Sequence, residues 1–187
     1  MKGYGFLLPL LAGFALAGAS AFTAAWSRRW GVRGGQRATA VLRNLLGIPL
    51  YFAGLVLAWL APTPALFEPG RAGTIAAWAL IALGAVPIVL GHLQLGWRTH
   101  MPSVQDSLMR DGLYARVRHP IYAGALPVFA GLALLRPSAA FVLACTLSLA
   151  FFLLQACLEE IDLLQRMPGY REYRREVPAF LPRWRRP

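Results

Sequence analysis

The sequence predicts an all-α integral membrane protein of about five transmembrane helices, with the last two forming a helical hairpin and a cytoplasmic C-terminal helix after them. Three observations carry that reading. Of 187 residues, 57% are hydrophobic and the mean hydropathy is +0.50, where a soluble domain is about 45–50% apolar. The apolar residues gather into runs close to the roughly 20 residues that a helix needs to cross a hydrocarbon core. The 19 basic residues, set against 8 acidic ones for a net charge of +11, fall between those runs and in the C-terminal tail.

Such placement suits anionic headgroups and the positive-inside rule. On a soluble chain the same charge would suggest nucleic acid, but no nucleic-acid motif is present and no such partner is expected. No stretch is long or polar enough to fold apart, so residues 1–187 are read as one membrane domain.

The first apolar run covers residues 5–26. Lys2 and the Ala-Gly-Ala-Ser-Ala within the run have the look of a signal peptide. Cleavage would leave Arg28, Arg29, Arg33, Arg37 and Arg43 outside the membrane, against the positive-inside rule, so a retained span is expected. Residues 27–43 then form a basic inside loop. The second span, 44–62, stops at Pro62-Thr63-Pro64, where proline ends a helix. Residues 63–73 carry Glu68 and Arg71 without a basic cluster and form an outside loop.

The third span, 74–97, contains Pro87, which should kink it. Trp97 at its end is an interfacial anchor. His92 reads as a hydrogen-bonded core residue. Gln94 either lines a site or bonds a neighbouring helix. Residues 98–119 return to the inside with Arg98, Arg110, Arg116 and Arg118. The fourth span, 120–135, opens on Pro120 in its first turn, where no amide hydrogen is needed. Gly124 and Gly131 allow close helix contact. Arg136-Pro137-Ser138 is a tight break, with Ser138 a candidate cap for the fifth span, 139–158. Cys145 and Cys157 lie on that span about 18 Å apart, too far to pair, and are expected to be small buried apolar residues. The arginine pattern puts the N-terminus outside and the C-terminus in the cytoplasm, in what is expected to be a prokaryotic cytoplasmic membrane.

After Leu158 the helical pattern continues with polar composition. Gln155, Glu159, Asp162 and Arg166 recur at helical spacing as one stripe, readable as a solvated face or as part of a site. Glu160 lies instead beside Ala156, Leu163 and Leu164. Pro168-Gly169 interrupts the helix, and Tyr170, Tyr173 and Val177 recur at helical spacing beyond it. The tail from Pro178 to Trp184 is aromatic and basic, as suits an interface.

One stretch, Gly112 to Gly124, concentrates polar chemistry at the mouth of the fourth span. A basic collar at the headgroups accounts for Arg116 and Arg118. It does not account for His119-Pro120-x-Tyr122 running straight into apolar sequence, since polar groups at membrane depth are costly. The hairpin should bring His119, Tyr122, Glu159 and Glu160 to one membrane face, with Arg118 nearby. That set suits a zwitterionic ligand, or a cationic ligand with an anionic end. It is poor for a metal, because His119 lacks two further ligands at suitable spacing. Phosphate loops of the P-loop or Rossmann type and a serine nucleophile elbow are both missing.

Gly112-x-Tyr114-x-x-x-Arg118-His119-Pro120-x-Tyr122-x-Gly124 resembles the cofactor motif of the membrane methyltransferases related to isoprenylcysteine carboxyl methyltransferase and phospholipid methyltransferase. Glu159-Glu160-x-x-Leu163, Tyr170-x-x-Tyr173-x-x-x-Val177-Pro178 and Pro182 resemble their C-terminal motif. The resemblance covers residues 104–182 and amounts to span count alone before that. It implies S-adenosyl-L-methionine as cofactor and methyl transfer to a lipophilic small molecule or lipid at the cytoplasmic face. It also implies cofactor contacts from the backbone of Asp106, Ser107, Leu108 and Met109, from Tyr114, from Arg118-His119-Pro120-Ile121-Tyr122, and from Glu159 or Glu160. His119, Glu159 and Glu160 are the candidate catalytic groups.

Three departures bear on that implication. Asp106 stands where the family often has histidine. Gln155 or Ala156 stands where the prenylcysteine enzymes carry an arginine, which argues against a prenylcysteine substrate. Met167-Pro168-Gly169 replaces a more usual Phe-Gly. Two rivals remain: an NADPH-dependent enzyme like the sterol reductases, and a non-catalytic subunit that binds a lipid or a partner. The apolar helical neighbours of Glu160 make its carboxylate costly unless a ligand cation compensates it. Glu160 is therefore expected to matter more than Glu159 for the cofactor, provided that the helix runs unbroken through 155–166.

Overall fold

The computed structural model describes residues 3–182, all-helical apart from one isolated bridge. The expectations placed on Lys2, Arg183 and Trp184 lie outside the described residues. Helix α1 (Leu7–Ser20) is followed after a two-residue break by α2 (Thr23–Ala40). A π-helical segment (Val41–Gly47) then leads without interruption into α3 (Ile48–Leu60). Next come α4 (Arg71–Leu95), a long loop, a 3-10 turn (Gly112–Ala115), α5 (Pro120–Leu135), α6 (Ala139–Arg166) and α7 (Tyr170–Glu176). Three helical stretches are long and apolar enough to cross a membrane: Thr23–Leu60, Arg71–Thr99 and Ala139–Arg166. Helices α1 and α5 are apolar but shorter, at 14 and 16 residues.

The basic segment 27–43 is helical rather than a loop. Arginine is a good helix former, so a basic composition does not by itself demand a loop. Helical dihedrals fail only at Gly31, with φ 71° and ψ 172°. Helix α1 also ends at Ser20, six residues before the expected 26. The amide of Ala24 in the new first turn finds an acceptor far away, the Asp162 Oδ1 at 2.7 Å.

Glycines set the helix contacts. A Cβ at Gly84 would overlap the Gly124 carbonyl oxygen, and one at Gly124 would overlap that of Gly84. Gly131 meets Ala77 and Ile81 in the same way, so α4 and α5 lie backbone to backbone. Gly54 packs on Leu10 and Gly13 on Tyr51, which does the same for α1 and α3. Small residues at such contacts are what helix association in lipid requires. The apolar core lies between α1, α3, α5 and α6, around Phe6, Leu10, Leu55, Phe129, Phe141 and Cys145. Cys157, by contrast, is exposed on the outer face of α6. An outward position on a span meets acyl chains, which accommodate a thiol as readily as the core does.

At one end of the bundle, loop 61–66 closes α6. Thr63 Oγ1 accepts from the Ala140 amide at 3.1 Å, and the Pro64 carbonyl accepts from Ala139 at 3.0 Å. Ser138 occupies the N-cap position, but its hydroxyl makes no cap bond. Thr63 has taken the Ala140 amide, one of those that an N-cap hydroxyl serves. At the other end, the Arg118 and His119 amides donate to the Pro178 and Ala179 carbonyls at 2.9 and 3.0 Å, stitching the chain after α7 to the mouth of α5.

Replacing Gly124 by leucine should force α4 and α5 apart and cost about 1–3 kcal/mol. Gly73→Ala, where the nearest atom to an added Cβ is Pro69 Cβ at 3.8 Å, should leave stability level or raise it by about 0.5–1 kcal/mol. Thermal unfolding in detergent measures both. Equal midpoints for G124L and the parent would show that the contact does not hold the pair.

Candidate active site

The second end of the bundle carries the polar chemistry, and three acidic side chains on the last turns of α6 organise it. The helix runs unbroken from Ala139 to Arg166, so Glu159, Glu160 and Asp162 point to different neighbours. Glu160 is buried. Its Oε1 lies 2.7 Å from Arg118 Nη2 and 3.0 Å from His119 Nε2, and its Oε2 lies 3.0 Å from Arg174 Nε. Arg118 also donates to the carbonyls of Arg174 and Val177. Glu160 thus fastens the mouth of α5 to α7.

Asp162 is 2% exposed and bonds Arg166 Nε at 2.5 Å besides capping α2. Arg166 in turn donates to the Ser103 carbonyl at 2.6 Å, drawing in the loop after α4. Glu159 takes three donors on Oε1: Tyr122 Oη at 2.7 Å, Gln155 Nε2 at 3.2 Å and Arg43 Nη2 at 3.3 Å. Among the described residues no hydrogen bond uses its Oε2.

A cavity of about 570 Å3 opens beside Glu159. Its polar end is walled by Asp106, Ser107, Leu108, Met109, Tyr114, Arg118, His119, Pro120, Ile121, Tyr122 and Glu159. An apolar arm runs on between Phe14, Phe52, Leu55, Val128, Phe129 and Phe152. The residues singled out in the sequence are therefore brought together, with one exception: Glu160 is not part of the wall. Its carboxylate is compensated by Arg118, His119 and Arg174, so the argument that it awaits a ligand's charge loses its premise. Gln155 and Asp162, on the stripe readable as a solvated face or as part of a site, are buried and line the cavity.

The remaining wall residues are held by local bonds. Asp106 Oδ2 accepts from the Ser103 amide at 2.8 Å, so its carboxylate shapes its own loop. Arg98 donates to the Ser107 carbonyl at 3.1 Å. His92 Nδ1 is 2.8 Å from the Ile88 carbonyl, one turn back on α4, and the ring lines the cavity. Gln94 does not line it: its Oε1 accepts from the Leu113 amide at 3.2 Å and braces the 3-10 turn. Gly112 is required there twice over, by φ 59° and by the Gln94 amide that would overlap a Cβ.

Tyr173 donates from its hydroxyl to the Tyr114 carbonyl at 2.6 Å. Burial pushes that phenol up to about 12, so it remains a neutral donor. Tyr170, Tyr173 and Val177 form a small second core with Leu108, Leu163 and Met167 that floors the polar end.

Arg166 of the polar stripe lines the cavity, and so do Arg43 and Thr99, which nothing in the local sequence marks as cavity residues. Arg43 borders an apolar span, where an arginine reads as a headgroup anchor. Only its partners, 23 to 116 positions away, reveal that it points inward. Among the described residues eight buried side-chain polar atoms lack a partner, and five of them, on Asn44, Tyr51, Thr99, Gln155 and Tyr170, belong to residues of the cavity wall. No group of three metal-ligating side chains occurs among the described residues.

Residues 72–169, just over half of the chain, match the phospholipid methyltransferase family. The chain belongs to that family. The match spans α4, the loop, α5 and α6, the elements that supply most of the polar end. A methanethiol S-methyltransferase of Pseudomonas sp. (strain GM41(2012)) is 30% identical over 164 residues, which is 79% of this chain and 60% of that relative. The chain thus spans about 60% of the length of the curated relative it matches. No solved structure matches it.

Glu160→Gln should uncouple α7 from α5, because removing one partner leaves buried charge uncompensated, at about 3–5 kcal/mol. Limited proteolysis at Arg171–Arg175 and the thermal midpoint in detergent should both report it, with a much smaller effect from Glu159→Gln. Equal effects would mean that Glu160 is not the fastening point.

Proposed function

We propose that this chain is an S-adenosyl-L-methionine-dependent methyltransferase acting on a lipophilic acceptor, the cofactor entering from the cytoplasm and the acceptor from the bilayer. The observation that carries the reading is one cavity with two chemistries: a polar end holding Glu159, Tyr122 and the 106–109 loop, continuous with an aromatic and aliphatic arm. The family match supports the reaction class.

The residues fit such a cofactor. Glu159 Oε2 is a free carboxylate oxygen for a cationic group. The atoms of Thr99, Asn44 and Tyr170 that lack a partner among the described residues supply further hydrogen-bond sites in the wall. When bound, the cofactor supplies an electrophilic methyl on a sulfonium. The chain's own contribution is alignment and exclusion of water. Tyr122 and Gln155 fix the Glu159 carboxylate. Arg98 holds the loop carrying Asp106 to Met109. Phe129, Phe152 and Leu55 offer the acceptor an uncharged channel. A thiol attacks as its thiolate, so a thiol acceptor must give up a proton. An amine must lose a proton, which Glu159 or His119 can take. The relative's printed substrate makes a small thiol the first acceptor to test.

The arginines of 98–118 and 166–175 favour the cytoplasm for the cavity's polar end, and loop 61–70 then lies outside. Reporter fusions at residue 68 and at the C-terminus should fall on opposite sides of the membrane. Reporters on the same side would sink this topology, and residue 68 inside with the C-terminus outside would reverse the entry routes.

Titration of the purified protein in nanodiscs with S-adenosylhomocysteine should give saturable heat, and titration with NADPH none. The reverse would favour a reductase, and silence with both a binding subunit. Glu159→Gln should weaken S-adenosylhomocysteine about ten- to hundredfold, the worth of one hydrogen bond to a charged group. Unchanged affinity would remove Glu159 from the site.

A further inference from the structure

Arg43 stands outside the residues that match the family and outside both motifs of the sequence, yet it reaches into the cavity. It sits on the π-helical segment Val41–Gly47. Such segments carry an inserted residue that redirects side chains and recur at functional sites. Its side chain is 17% exposed. Nε donates to Ser20 Oγ at 3.2 Å, Nη1 to the Thr99 carbonyl at 2.9 Å and Nη2 to Glu159 Oε1 at 3.3 Å. A guanidinium has five N–H donors in a fixed fork, so two remain, one on each terminal nitrogen. Beside them is Glu159 Oε2, with no hydrogen bond among the described residues. A cation with two free donors and an anion with one free acceptor thus meet at the wall of one cavity.

We propose that Arg43 and Glu159 form a subsite for an α-amino-acid zwitterion, Arg43 taking the carboxylate and Glu159 the ammonium. The charges are arranged for it. Bidentate carboxylate recognition is what the arginine fork does best, and Ser20 and Thr99 hold the fork in place before a ligand arrives. Of the other cavity arginines, Arg118 is committed to Glu160 and Arg166 to Asp162 and the Ser103 carbonyl, while Arg98 donates to the Ser107 carbonyl and has no hydrogen bond or ion pair with Glu159 among the described residues. Two molecules could bring such a group: the amino-acid end of the adenosyl cofactor, or a free sulfur amino acid bound in its own right. The first source rests on the reading given under Proposed function, and the second does not.

The test is calorimetry on the full chain in nanodiscs with three probes: S-adenosylhomocysteine, 5′-methylthioadenosine, which lacks the amino-acid end, and homocysteine. Arg43→Gln should weaken S-adenosylhomocysteine about ten- to hundredfold and leave 5′-methylthioadenosine unchanged. If Arg43→Gln does not fold, Arg43→Lys keeps the charge without the fork and should show a smaller loss with the same selectivity. Selective loss for homocysteine, with S-adenosylhomocysteine unaffected, would support the subsite and give it to the free amino acid. Equal loss for all probes would mean that Arg43 only holds the fold, and no loss for any would mean that it holds nothing. Either result overturns the proposal. If the parent binds neither adenosyl probe, the methyltransferase reading fails. The subsite then stands only if homocysteine binds in an Arg43-dependent way and is overturned if it does not.

Discussion

Three carboxylates within four residues, Glu159, Glu160 and Asp162, are drawn into the interior on the last turns of one helix, and the rest of the structure answers them. A buried charge without a partner costs several kcal/mol. No single helix could supply partners for all three. Asp162 is met by the first turn of α2 and by Arg166, Glu160 by the mouth of α5 and by α7, and Glu159 by the π-helical segment, α5 and Gln155. The glycine-lined helix contacts bring the spans together, and the carboxylates fix where their ends come to rest.

Of the three, Glu159 alone keeps an oxygen without a partner among the described residues, and that difference separates a fastening from a site. Glu160 spends both oxygens on Arg118, His119 and Arg174, as a structural clamp should. Glu159, which lines the cavity, concentrates its bonds on one oxygen. The apolar arm of the same cavity lies among α1, α3, α5 and α6, so a water-soluble ligand and an oil-soluble one can meet without either crossing the other's solvent.

The sequence made the outline legible where the signal was local. Pro120 and the Arg136-Pro137-Ser138 break bracket α5 at 120–135 as expected, and the hairpin follows from them. The convergence of His119 and Tyr122 with the two glutamates follows from the hairpin. What stayed hidden was set by residues distant in the chain. The neighbours of Glu160 on its own helix are apolar, and they gave no sign of Arg118 or Arg174. Segment 27–43 looked like a loop because its charges were weighed and its helix-forming arginines were not. Ser138 looked like a cap because Thr63, which serves Ala140 in its place, is 75 positions earlier.

The cap on α2 has a consequence for the order in which the protein is made. The Ala24 amide is served by a side chain 138 positions downstream. While the chain emerges from the ribosome, α1 and α2 are complete long before Asp162 exists, and the start of α2 must wait in water or at the interface with its amide open. The tail bonds to Arg118 and His119 come later still. The polar end of the cavity is therefore the last part to close, after every span has entered the bilayer. A chain interrupted before α6 can hold α1 against α3 and α4 against α5, but it has no floor, no clamp and no place for a charged ligand.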